Sequence, residues 1–135
     1  MTKFFTLVKE EVCLAWMDFH SIGHFIMGQL CFAGTYLVLL GGLPFELNLP
    51  YSLISSIIFG VLFEVIENGP CVKLKFAGRK DSVENSVADI VLVILGAIFE
   101  FVLIGFASLT INIVLNTTVF VVLMILYLKL RMLTC

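Results

Sequence analysis

Asp89 closes the run Asp81-Ser82-Val83-Glu84-Asn85-Ser86-Val87-Ala88-Asp89, which leads straight into the apolar residues 90–99. Asp81, Asn85 and Asp89 step by four residues and share one helix face. If the apolar stretch spans a membrane, Asp89 lies about two turns inside it. An ionisable group at that depth costs roughly 2.5–3.5 kcal/mol, needs a partner, and reads as functional by default. Two other segments carry groups of the same kind. His20-Ser21-Ile22-Gly23-His24 places two histidines four residues apart on one face. Glu64-Val65-Ile66-Glu67-Asn68 places Glu64 on one face with both Glu67 and Asn68.

Histidine with Asp, Glu and Asn is a mixed ligand set suited to a divalent metal. In that chemistry His20 and His24 are the candidate metal ligands. Glu64 or Asp89 is the candidate catalytic general base, and Glu67, Asn68, Asp81 and Asn85 are candidate binding residues. Glu64, Glu67, Asp81, Glu84 and Asp89 cannot all stay ionised together in a low dielectric. Protonation, basic partners or a bound cation are the available resolutions. No compact metalloenzyme signature such as HExxH is present.

Structural readings compete for several of these residues. Asp81 with Glu84 fits a helix N-cap and its reciprocal partner. Asn68-Gly69-Pro70 is a helix-stop signal, so Asn68 could simply end a helix. His20 suits the membrane interface, and Glu67 could pair with Lys73 or Arg79 at the headgroup level. His24, Glu64, Asn85 and Asp89 lie deeper and are the harder ones to explain as structure alone.

The elements that must position these groups are membrane helices. Hydrophobic residues make up 61% of the 135 and charged residues 13%, about half the charged share of a soluble domain. The expected fold is all-α, a polytopic transmembrane bundle in a single integral membrane domain over 1–135. Four spans are read at about 20–41, 51–68, 83–107 and 109–130. The second is short, and the turn between the third and fourth is little more than Ala107-Ser108. A competing reading tilts the third helix and starts the fourth later. Residues 1–19 lack a cleavable signal, because Lys9-Glu10-Glu11 interrupts the apolar run. They read as an amphipathic interfacial helix with Trp16 at the membrane surface, or as a plain lead-in.

Lys3, Lys9, Lys73, Lys75, Arg79, Lys80, Lys129 and Arg131 all fall on one side of the four-span arrangement. The positive-inside rule makes that side the cytoplasm, with both termini inside a multi-pass protein of the cell membrane. The three polar segments then share the cytoplasmic leaflet and can converge. Gly28, Gly60 and Gly96 lie one or two turns from His24, Glu64 and Asp89 and would let the helices approach closely. The net charge of −2 argues against a nucleic-acid partner. Cys13, Cys31, Cys71 and Cys135 match no metal motif and read as small apolar filler. Asn116-Thr117-Thr118 fits a glycosylation pattern but falls inside the fourth span.

Glu64-x-x-Glu67-Asn68-x-Pro70 followed by Asp81-Ser82-x-x-Asn85-Ser86-x-x-Asp89 and Gly96 resembles an uncharacterised bacterial family of polytopic membrane proteins. That family pairs an E-x-x-E-N-x-P helix end with a D-S-x-x-N-S-x-x-D helix start. Its earlier helix carries paired histidines and a glycine, similar to His20, His24 and Gly28. A looser likeness is to the VanZ-like superfamily, linked to glycopeptide resistance. The resemblance covers about residues 19–96 and implies a shared polar site, not a named reaction.

Three functions fit these residues. One is a cation-dependent enzyme or binder acting on a lipid headgroup, with membrane lipid as partner. Another is a proton- or cation-coupled transporter, which with four spans would need a homo-oligomer. The third is a non-catalytic assembly or sensor protein with the polar cluster as interhelical glue. Outside the cluster, Glu100, Asn112, Asn116 and Thr117 are the main polar residues of the outer half.

Overall fold

A computed structural model of the chain describes residues 4–6, 14–18, 20–71, 80–107 and 109–134, without the side chains of 109, 113 and 130–134. It contains four helices: α1 (Ser21–Leu39), α2 (Phe45–Asn68), α3 (Val83–Phe106) and α4 (Leu109–Thr134). All four are long and apolar enough to cross a membrane. The fold is thus the all-α bundle expected.

The bundle has the polarity of a membrane protein. Buried side chains include Ser21, His24, Gln29, Asn48, Glu64, Asn85, Asp89 and Glu100, while large apolar residues of every helix lie exposed. In lipid an exposed Leu or Ile needs no cover, and the polar side chains must find one another. α2 shows the pattern most plainly. Asn48, Ser52, Ser56, Gly60 and Glu64 are its buried residues at four-residue spacing, following one i±4 ridge. Ser52 Oγ donates to Asn48 Oδ1 (3.1 Å), Ser56 Oγ to the Ser52 carbonyl (2.8 Å), and Asn48 Nδ2 to the Tyr36 carbonyl of α1 (3.1 Å).

α1 and α3 run parallel and pack most extensively on each other, and α2 lies antiparallel against both. Their contact depends on small residues. A methyl group on Gly28 would overlap the Val93 carbonyl, and one on Gly96 would overlap the Phe25 carbonyl. A methyl on Gly60 would lie 2.8 Å from Val93 Cγ1. Val93, fully buried, therefore occupies the point where the three helices meet. Beyond it Phe32, Leu49 and Ala97 form a small apolar core, with Phe32 edge-on to Phe101.

Two expectations need correction. The second span starts at Phe45, not Tyr51, because Pro44 is the N-cap and its carbonyl accepts from Leu47 and Asn48. Pro50 lies inside the helix. Its missing N–H leaves the Glu46 carbonyl without a ladder partner only in the second turn, and membrane helices accommodate such prolines. The described parts of the N-terminal segment, 4–6 and 14–18, are not helical; 7–13 lie outside the described residues. Thr6 N donates to the Met17 carbonyl (3.1 Å) and Met17 N to the Phe4 carbonyl (2.8 Å), forming an isolated parallel bridge. Within the described residues, backbone pairing stands in place of the interfacial helix; Leu7, Val8 and Val12, which carry much of its apolar periodicity, lie outside them.

Gly28→Ala and Gly96→Ala should each destabilise the detergent-solubilised protein by about 1–3 kcal/mol, since overpacking against backbone has no flexible side chain to move. Gly34 has nothing within 4 Å of its would-be methyl, so Gly34→Ala is the matched control and should leave Tm unchanged or raised. Thermal unfolding of the three variants checks this; equal Tm values would show that the α1–α3 approach is not close.

Candidate functional site

The polar groups of α1, α2 and α3 converge at one end of the bundle. His24 lies between two carboxylates: its Nδ1 is 3.7 Å from Glu64 Oε1 and its Nε2 is 3.5 Å from Asp89 Oδ2. Both separations exceed an N–H···O hydrogen bond. Phe63 stands edge-on to the imidazole at 6.0 Å between ring centres. Asp89 Oδ1 accepts from Ser21 Oγ at 2.8 Å, a neighbour not anticipated from the sequence. Ser21 Oγ in turn accepts from Asp18 N (3.1 Å), and Asp18 Oδ1 accepts from His20 N (2.8 Å). Asp18 does not cap α1, whose N-cap is His20; its bond to the backbone two residues on is an Asx turn, a signal legible in Asp18-Phe19-His20.

Asn68 is the junction between α2 and α3. Its Nδ2 has three acceptors in reach of its two hydrogens: Glu64 Oε2 and Asp81 Oδ2, both at 2.9 Å, and Ser86 Oγ at 3.2 Å. Its Oδ1 accepts from Asp81 N at 2.8 Å. Asn68 therefore does more than end α2, whose C-cap is Gly69. Asp81 is not the N-cap of α3. Ser82 is, accepting from Asn85 N at 3.1 Å, which leaves the Asp81 carboxylate to Asn68. A hydroxyl one residue nearer the helix outcompetes the carboxylate as cap, and the sequence pattern alone fits either.

Among the described residues, two sets of side chains could hold a metal ion. His24, Glu64 and Glu67 each offer a ligand atom within 4.8 Å of the others, and so do Glu64, Asp81 and Asp89. Glu64 belongs to both. In a tetrahedral site with bonds of roughly 2.0–2.2 Å, ligand atoms stand roughly 3.3–3.6 Å apart. The separation of His24 Nδ1 from Glu64 Oε1, 3.7 Å, is of that order.

Of the residues singled out in the sequence, His24, Glu64, Glu67, Asn68, Asp81 and Asp89 are therefore brought together. His20 stands outside both sets; its ring lies 6.1 Å from that of Tyr127 on α4. Asn85 is buried on the same face of α3, but its Nδ2 donates to the Trp16 carbonyl (3.3 Å), tying the N-terminal segment to the bundle. Lys73 and Arg79, considered as partners of Glu67, lie outside the described residues.

No family model, curated protein sequence or solved structure matches the chain.

Asn68 donates where carboxylates crowd, so changing it tests the electrostatics directly. Asn68→Ala should cost about 1–3 kcal/mol through unmet acceptors. Asn68→Asp should cost more, because it adds a like charge beside Glu64 and Asp81. The excess of Asp over Ala should shrink as pH falls, since protonation of any of these carboxyls removes the repulsion. Tm measured across pH for both variants checks the sign. A gap that widens on acidification would contradict the crowding.

Proposed function

We propose that this is an integral protein of the cell membrane, both termini cytoplasmic, that binds a divalent cation through His24, Glu64 and Glu67. The observation that carries the proposal is the convergence of these three donors from α1 and α2, with Glu64 also facing Asp81 and Asp89. Asp89 Oδ2 stands 3.5 Å from the opposite nitrogen of His24, on the side from which an outer carboxylate would orient a ligating imidazole once within hydrogen-bond range. Imidazole with carboxylates suits zinc or manganese better than a soft metal. A cation held at the cytoplasmic end would let an acidic site engage the phosphate of a lipid headgroup.

The residues behind the family resemblance support the same reading. Glu64, Glu67 and Asn68 end α2, and Asp81, Asn85 and Asp89 start α3, so the two motifs meet at one place. Orientation is supported by the basic residues, which all belong to one side of a four-span chain. A transporter is less well supported: Gly28, Val93 and Ala97 form a packed layer between Asp89 and Glu100.

One observation favours interhelical glue instead. Both the amide nitrogen and the oxygen of Asn68 are bonded within the cluster, as in a self-contained joint. Metal titration separates the two. After removal of metal with a chelator, zinc or manganese should raise Tm, by about 2.7 kcal/mol of added stability at a hundred times Kd. Glu64→Gln should abolish the response. Asp89→Asn keeps shape and loses charge; it should leave apo stability nearly unchanged and weaken metal affinity roughly 10–100-fold. A full metal response in Glu64→Gln, or none in the unaltered protein, would leave the glue reading standing.

The orientation has its own check. In a cysteine-free background, a cysteine replacing Gly42 should react with a membrane-impermeant maleimide on intact cells. One replacing Lys80 should react only after permeabilisation. The reverse pattern would invert the topology.

A further inference from the structure

A second polar group lies away from this site, between α1, α3 and α4. Glu100 is roughly 16 Å of helix rise beyond Asp89 and is 3% exposed. Asn116 Nδ2 donates to Glu100 Oε1 and to Asn112 Oδ1, each at 2.8 Å. Gln29 Nε2 donates to Asn116 Oδ1 at 3.3 Å. The amide hydrogens of Asn116 are thereby directed inward, and the accepting oxygens keep further lone pairs.

Gln29 supplies the observation that points to a ligand. The residue is 6% exposed, and its Oε1 is buried without a hydrogen-bond partner among the described residues. With Glu100, Asn116 and Thr117 it lines a cavity of about 310 Å³. Glu100 is shared with a neighbouring cavity of about 420 Å³ that Asn112 lines. A buried acceptor left unmet is unfavourable, and here it stands beside space large enough for an ion.

The donors fix the class of ion. All are oxygens, one from a carboxylate and the rest from amides, which selects a hard cation over a soft one. The group offers a single negative charge, so a monovalent cation neutralises it, whereas a divalent one would leave a net charge in a low dielectric. Amide carbonyls can replace the hydration shell of such an ion, as backbone carbonyls do in channel filters. We propose that Gln29, Glu100, Asn112 and Asn116 form a binding site for an alkali cation inside the membrane-spanning bundle. It is independent of the divalent site and involves none of its residues.

The test is thermal unfolding of the full chain in detergent with a divalent chelator present. Sodium, potassium and N-methylglucamine chlorides are compared at constant ionic strength and mildly alkaline pH. A saturable rise in Tm with sodium or potassium, absent with N-methylglucamine, is the expected result. Glu100→Gln should abolish it. Gln29→Met removes the amide oxygen and keeps the length, and should raise the half-saturating concentration about tenfold or more. Equal Tm values in all three salts would overturn the proposal, as would an undiminished alkali response in Glu100→Gln. A Tm that follows pH but not the alkali ion would assign the group to a proton and overturn it as well. If Glu100→Gln does not fold, Gln29→Met and Asn112→Ala decide by the same criterion.

Discussion

Val93 can occupy the meeting point of three helices only because glycines stand opposite it. Its backbone carbonyl fills the place of a side chain at Gly28, and its methyl groups fill the place of one at Gly60. Gly96, one turn further along α3, grants the same approach to the backbone of α1. In a membrane no hydrophobic force draws helices together, so close packing of small residues and interhelical hydrogen bonds must do it. The polar site follows from this approach. Asp89 is one turn before Val93, His24 one turn before Gly28, and Glu64 one turn after Gly60. Helices held further apart would leave each of these side chains facing lipid.

Burial has an energetic consequence that hydrogen bonds alone do not meet. Interhelical hydrogen bonds in membranes average about 0.6 kcal/mol, so those that Asn68 makes to Asp81 and Ser86 supply roughly 1–2 kcal/mol. Keeping two ionised carboxylates such as Glu64 and Asp89 at this depth costs roughly 5–7 kcal/mol. The difference calls for positive charge, whether a proton, a basic side chain or a metal ion. His24, placed between the two carboxylates, is where it would have most effect.

Much of this was legible in the sequence. The number and class of the helices follow from long apolar stretches, and the contact glycines follow from their spacing to the polar residues. That His24, Glu64 and Asp89 face one another was readable from shared depth once the basic residues had set the topology. Three features were not readable. The start of α2 depended on whether Pro44 or Pro50 opens the helix, and both satisfy the same local rules. The cap of α3 depended on a contest between Asp81 and Ser82, settled by Asn68 on another helix. The paired histidines share a face in a regular helix, but His20 is the N-cap of α1 and sits beside α4. Periodicity describes helix interiors, and these three features lie at helix ends, where tertiary partners choose among local alternatives.

α4 stands apart energetically. Among the described residues of its span 110–129 none is buried, in contrast to the other three helices. Its ties to the bundle include Asn116 with Gln29 and Glu100, and Tyr127 beside His20. Burial therefore holds α4 weakly, and the polar contact at Asn116 contributes to its attachment. That contact uses Glu100 as an acceptor. An ionised Glu100 accepts most strongly but is unfavourable in lipid without a counter-charge, and a protonated one is favourable in lipid but accepts less well. The docking of α4 is thus tied to the charge state of one buried carboxylate. The packed layer at Val93 separates that carboxylate from Asp89. Two polar groups in one small bundle are in this way joined through α1 and α3, and with little polarisable matter between them a change of charge at one is felt at the other.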